Sequence, residues 1–154
     1  MALIAVAGCA KSLSVDVVST ETPRNVRQLV LVNHNDFSSA IRRSLIKQGF
    51  QVKAAPSTKA ITEKSPGQDV TYNAAEARYG VRHGGNMSAN NPCFTNGNAT
   101  HFTEYEFELI DLQTNETVLF VSKGGWTEWC TGAPTTQTTD LFGDLSQELA
   151  SIIR

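Results

Sequence analysis

At 154 residues the chain is long enough for one domain with a proper core. Its 13 Lys and Arg nearly cancel 15 Asp and Glu, leaving a net charge of −2. That gives no broad positive field for a phosphate backbone and sets nucleic acid aside as a partner. Hydrophobic residues at 40 % and charged residues at 18 % are an ordinary globular balance, and no apolar run approaches the ~20 residues that a membrane-spanning helix needs.

The chain opens Met1-Ala2-Leu3-Ile4-Ala5-Val6-Ala7-Gly8-Cys9. An apolar run ending in small residues before a cysteine resembles the lipobox of bacterial lipoproteins, carried here by Val6-Ala7-Gly8-Cys9. The resemblance implies cleavage before Cys9, a diacylglyceryl thioether on its sulfur, and an anchor of two or three acyl chains, where one would hold only marginally. The apolar stretch is short and no basic residue precedes it, so the resemblance to a lipobox departs there from the usual signal, as an upstream start or a trimmed N-terminus would explain. Residues 11–14 follow as a polar spacer. Family members retained at the inner membrane carry Asp just after the cysteine. Ala10 and Lys11 stand there instead, so the expected location is the periplasmic face of the outer membrane. The alternative is a short strand over residues 2–7 followed by a core cysteine, in a soluble binding module without lipid.

Residues 13–18 alternate apolar and polar and read as a strand. Pro23 separates them from 26–33, whose β-branched run reads as a central strand. Asn35-Asp36 offers a helix N-cap, Phe37, Ala40, Ile41 and Leu45 follow at helical spacing, and Gly49 stands where a C′ glycine belongs, so a helix is expected over 37–48. A short strand at 50–54 completes a parallel βαβ unit. Residues 55–75 are polar, broken by Pro56, Pro66 and Gly67, with one helical turn expected near 57–63. Ala77, Tyr79, Val81 and His83 alternate as a half-buried strand, and 84–98 reads as a long loop.

In 102–112, Tyr105, Phe107 and Leu109 face one way and Glu104, Glu106 and Glu108 the other. The carboxylates therefore read as a solvated strand face. A turn at 113–116 returns the chain over 117–122, with 123–125 ending that strand. Thr139 or Asp140 caps a last helix with Leu141, Leu145, Leu149 and Ile152 on one side. The stretch 106–120 resembles a hairpin common in small Gram-negative envelope lipoproteins, with Asn115 in place of a turn glycine. With the βαβ opening and the terminal helix, the chain is similar to the α/β domain at the start of TolB and related accessory lipoproteins. The expected fold is α+β with an α/β-like start: a single mixed sheet of about five strands with two main helices on one face. Residues 1–8 are residual signal, 9–25 tether and first strand, and 26–154 one domain.

No catalytic motif stands out. His83-Gly84-Gly85 would suit an esterase oxyanion hole only with a Gly-x-Ser-x-Gly elbow, which the sequence lacks, so the glycines are expected to end a strand. His34 with Asp36 could form an acid–base pair, though a turn role fits better. Arg42, Arg43 and Lys47 fit a solvated helix face. Trp126 and Trp129, beside Tyr105 and Phe107, mark the region to search first for a ligand, with His83 and His101 nearby; a core or lid role is the plainer reading. If lipid consumes Cys9, Cys93 and Cys130 remain as an even pair in an oxidising compartment, and a disulfide between them is expected. Zinc on His83, Cys93, His101 and Cys130, or two free thiols, are the rivals; neither a metal nor another cofactor is expected. The functional expectation is a non-catalytic envelope lipoprotein with a membrane anchor and an envelope protein partner. The alternative is a small hydrolase or metal-dependent enzyme built on the 83–101 loop.

Overall fold

A computed structural model describes residues 13–19, 22–53, 60–65, 68–73, 77–88, 99–127 and 140–154. The lipobox with Cys9, and Cys93, Cys130 and Trp129, lie outside the described residues.

The chain folds as α+β around a single mixed sheet of six strands, one more than expected, with two helices sharing its core. The strands are β1 (Ser14–Val17), β2 (Gln28–Leu31), β3 (Gln51–Lys53), β6 (Tyr79–Met87), β7 (His101–Asp111) and β8 (Glu116–Trp126), in the order β1-β8-β7-β6-β2-β3. β2 pairs in parallel with both β3 and β6, whereas β6, β7, β8 and β1 pair antiparallel in succession. Two further strands, β4 (Ala60–Ser65) and β5 (Gln68–Asn73), form a separate antiparallel pair. From residue 60 they replace the expected helical turn, since Ile61, Thr62, Val70, Thr71 and Tyr72 all favour the extended chain.

The first helix, α1 (Ser38–Lys47), buries Ser38, Ile41, Ser44 and Leu45 along one side. It ends in a Schellman motif: the Phe50 N–H reaches the Leu45 carbonyl at 3.2 Å and the Gly49 N–H reaches that of Ile46 at 2.9 Å. Gly49 takes φ 87° to make that turn, and Phe50 and Leu45 meet in the core. The second helix, α2 (Leu141–Ile153), starts where the Asp140 carboxylate accepts the Gly143 N–H at 3.0 Å. Leu141, Leu145, Leu149 and Ile153 are fully buried along it, with Ile153 rather than Ile152 closing the stripe. Where the helices cross, the Ser44 hydroxyl lies 2.7 Å from that of Ser146 and donates to the Phe142 carbonyl at 2.6 Å.

Two strands run on through glycines that the sequence pattern places at their ends. β6 continues past Gly84 and Gly85 to Met87, and β8 past Gly124 and Gly125 to Trp126. A Cβ on Gly85 would meet the Glu104 carbonyl oxygen at 2.4 Å and Tyr105 Cδ2 at 2.5 Å, and one on Gly124 the Thr103 carbonyl oxygen at 2.6 Å. These glycines let β7 lie close to its neighbours on both sides. The hairpin turn takes Asn115 at φ 59°, the left-handed conformation that Asn tolerates.

Candidate functional site

β2 lies between two parallel neighbours, and the chain leaves its carboxyl end toward α1 and β3 while β6 runs on the other side. Sites form preferentially at such a divergence in α/β sheets. Here it holds a polar cluster centred on His83, which is 3 % exposed.

Asn33 follows β2 and acts as a one-residue extension of the ladder. Its side-chain Oδ1 accepts the His83 N–H at 2.9 Å and its Nδ2 donates to the His83 carbonyl at 2.7 Å. The imidazole lies between two hydroxyls: Nδ1 is 2.9 Å from the Tyr105 oxygen and Nε2 is 3.2 Å from Ser38 Oγ. Asn35 closes the ring of contacts. Its N–H donates to Ser38 Oγ at 2.7 Å, its Oδ1 accepts the Phe37 N–H at 2.9 Å and lies 3.5 Å from Ser38 Oγ, and its Nδ2 is 3.4 Å from the Tyr105 oxygen.

Both imidazole tautomers give every ring and hydroxyl atom a partner, and one of them also gives the Tyr105 proton an acceptor. In that one Tyr105 donates to Nδ1, Nε2–H donates to Ser38, and Ser38 donates to Asn35. Burial, with repulsion from His34 adding to it and a hydrogen bond to the Asn33 main chain opposing it, lowers the His83 pKa to about 4, so the ring is neutral at pH 7. Burial likewise raises the Tyr105 pKa, against the Asn35 hydrogen bond, and keeps the phenol protonated.

Below the cluster, Phe37, Phe102, Tyr105, Phe107 and Phe142 pack edge to face or tilted, with ring centroids 4.7–6.3 Å apart. Tyr105 and Phe107 are fully buried in this core. The expected ligand residues fall into two groups. His83 and Tyr105 are bonded under α1. His101 and Trp126 pair across β7 and β8, with centroids 4.9 Å apart. Burial lowers the His101 pKa, and among the described residues its Nδ1 has no hydrogen-bond partner. His34 and Asp36 are both exposed, and among the described residues no hydrogen bond or ion pair joins them.

The three strand glutamates separate more than their alternation implied. Glu106 is exposed and Glu104 half-buried, but Glu108 is only 4 % exposed, which corrects its reading as part of a solvated face. Arg82 holds it through both Nε and Nη2, and the Thr117 hydroxyl donates to it as well. Burial alone would raise the Glu108 pKa; these hydrogen bonds and the Arg82 charge outweigh it and lower it. At the hairpin end of the sheet an open cleft of about 870 Å³ is lined by Arg24, Arg78, Tyr79, Asp111 and Glu116 among others. There Arg78 donates twice to Asp111 Oδ2, at 3.0 and 2.8 Å.

Sequence reasoning missed Asn33, Asn35 and Ser38. The available signal was an asparagine pair flanking the turn after an apolar strand, with a serine at the helix start.

No family model matches the chain, and no curated protein matches it. Among solved structures it is similar to PelC from Paraburkholderia phytofirmans, described as a dodecamer. One structure, of a PelC variant, has 12 % identity and a TM-score of 0.46, covering 93 % of this chain and 99 % of that one. A second has 11 % identity and a TM-score of 0.47, covering 93 % of this chain and 98 % of that one.

Proposed function

We propose that the chain is a non-catalytic accessory lipoprotein of the bacterial envelope. Acyl chains on Cys9 hold it at the periplasmic face of the outer membrane, and the domain works by binding an envelope protein, a glycan or a lipid. The motif Val6-Ala7-Gly8-Cys9 supports the anchor, and the likeness of the 106–120 hairpin to one common in small Gram-negative envelope lipoproteins supports the setting.

The observation that carries the non-catalytic part is the closed hydrogen-bond cluster at His83. A hydrolase would use Ser38 as nucleophile and His83 as base, because they stand 3.2 Å apart. A base must accept the nucleophile's proton. In the tautomer that also gives the Tyr105 proton an acceptor, Nε2 carries a proton aimed at Ser38 and Tyr105 occupies Nδ1. A pKa of about 4 also makes the ring a poor proton acceptor at pH 7, and Ser38 is itself buried.

A serine-directed fluorophosphonate probe should therefore leave the purified protein unlabelled at neutral pH. Labelling that disappears in Ser38→Ala would overturn the reading and make this cluster an active site.

A further inference from the structure

β1 ends the sheet among the described residues, and its character is unusual for an edge. All four of its residues are exposed. Val15 and Val17 are 41 % and 47 % exposed, and Val18 just beyond is 54 % exposed. Natural edges are commonly blunted by lysine, proline or bulges. Here Asp16 is the one charge, and it stands between valines.

The direction of each group on this edge follows from the register. Val15 lies opposite Val121 and Val17 opposite Leu119. Both partners are core residues, so Leu13, Val15 and Val17 lie on the helix side of the sheet and Ser14 and Asp16 on the other. The Val18 N–H bonds the Val118 carbonyl at 3.0 Å. Hydrogen-bonded and non-bonded pairs alternate along an antiparallel ladder, so the N–H and C=O of Val15 and Val17 turn away from β8.

We propose that this edge pairs with the same edge of a second copy of the chain, antiparallel, with Val15 on the two-fold axis. Opposed residues in such a pair must share a face, which leaves two central registers. Centred on Val15, the helix side reads Leu13–Val17, Val15–Val15 and Val17–Leu13, all apolar. The other side places each Ser14 hydroxyl opposite an Asp16 carboxylate. The outward groups of residues 13, 15 and 17 then make about six main-chain hydrogen bonds between the copies. Centred on Asp16, the two carboxylates face each other in the closer, non-bonded type of pair, and about four hydrogen bonds form. Charge and hydrogen bonding select the first register. Its result is one sheet continuous across two copies, with an isologous contact. The contact is shorter than a standard protein interface, so the dimer is a weak and concentration-dependent one.

Two measurements on the full chain test this. On mild oxidation Val15→Cys should form a crosslinked dimer, since the axial pair stands within disulfide reach. Asp16→Cys, and the chain with only its native cysteines, should not. In sedimentation the unaltered chain should shift from monomer to dimer with rising concentration. Val15→Lys, which brings two cations together on the axis, should weaken association at least about tenfold with an unchanged melting temperature. Crosslinking of Asp16→Cys as readily as Val15→Cys would overturn the proposal. So would a monomer at all concentrations, or an assembly that survives Val15→Lys.

Discussion

His83 carries its ring into the core as a neutral group, and that has a cost at acid pH. An unfolded imidazole binds its proton near pH 6.5, but the folded ring does so only near pH 4. Between those values the unfolded chain holds more protons, so stability rises with pH and is lost as pH falls through that window. The gap corresponds to about 3 kcal/mol. The groups facing the ring are Asn33, His34, Asn35 and Ser38 from the β2–α1 segment and Tyr105 from β7. His34 acts in the same direction by repulsion, and His101, whose pKa is also lowered, adds to the slope. Urea unfolding between pH 7.5 and 4 should show this loss. His83→Gln should be less stable at pH 7.5 but lose about 3 kcal/mol less than the unaltered chain between pH 7.5 and 4. An identical slope in wild type and variant would mean that the ring titrates elsewhere. The cluster was not readable in the sequence because its members come from the β2–α1 connection, the start of α1, β6 and β7. Ser38 and Tyr105 lie 45 and 22 positions from His83, and no periodicity links them.

Among the elements, β6 shows what alternation can and cannot say. The period of two placed Val81 and His83 inward, and both are buried. It could not say whether Gly84-Gly85 ended the strand or ran through it, because a missing side chain reads the same in a loop and in a close approach. The structure separates the two glycines. Gly84 has nothing within 4 Å of an added Cβ, whereas Gly85 is pressed against Glu104 and Tyr105. Gly84→Ala should therefore be neutral or slightly stabilising. Gly85→Ala should cost about 2–3 kcal/mol by forcing β6 and β7 apart at the Tyr105 ring, read by chemical denaturation with near-ultraviolet circular dichroism. Equal effects would refute the close approach. α2 and the turn of the β7–β8 hairpin were legible almost residue by residue, because each follows a regular apolar stripe and a local signal, Asp140 and Asn115; α1 was legible from its stripe and Gly49, but its N-cap is Phe37 with no side-chain bond rather than Asn35-Asp36. Glu108 was misread because alternation assigns it a face, while burial of that position depends on Arg82, one strand away.

Across the whole molecule the sheet puts its chemistry in separate places. The His83 cluster sits under α1, the His101–Trp126 pair at the far end of the central hairpin, and the charged cleft at the opposite end. The two uses proposed for the domain fit that layout: an exposed edge that would recruit a second copy, and a lipid anchor on Cys9 that would hold the domain at a membrane. The anchor is the central claim, because it decides the compartment, the redox state expected for Cys93 and Cys130, and the class of partner. Expressed in bacteria from its natural reading frame, the protein should incorporate labelled palmitate and partition into the detergent phase, and Cys9→Ser should abolish both. Equal labelling of Cys9→Ser, or no labelling of the unaltered protein, would contradict the account.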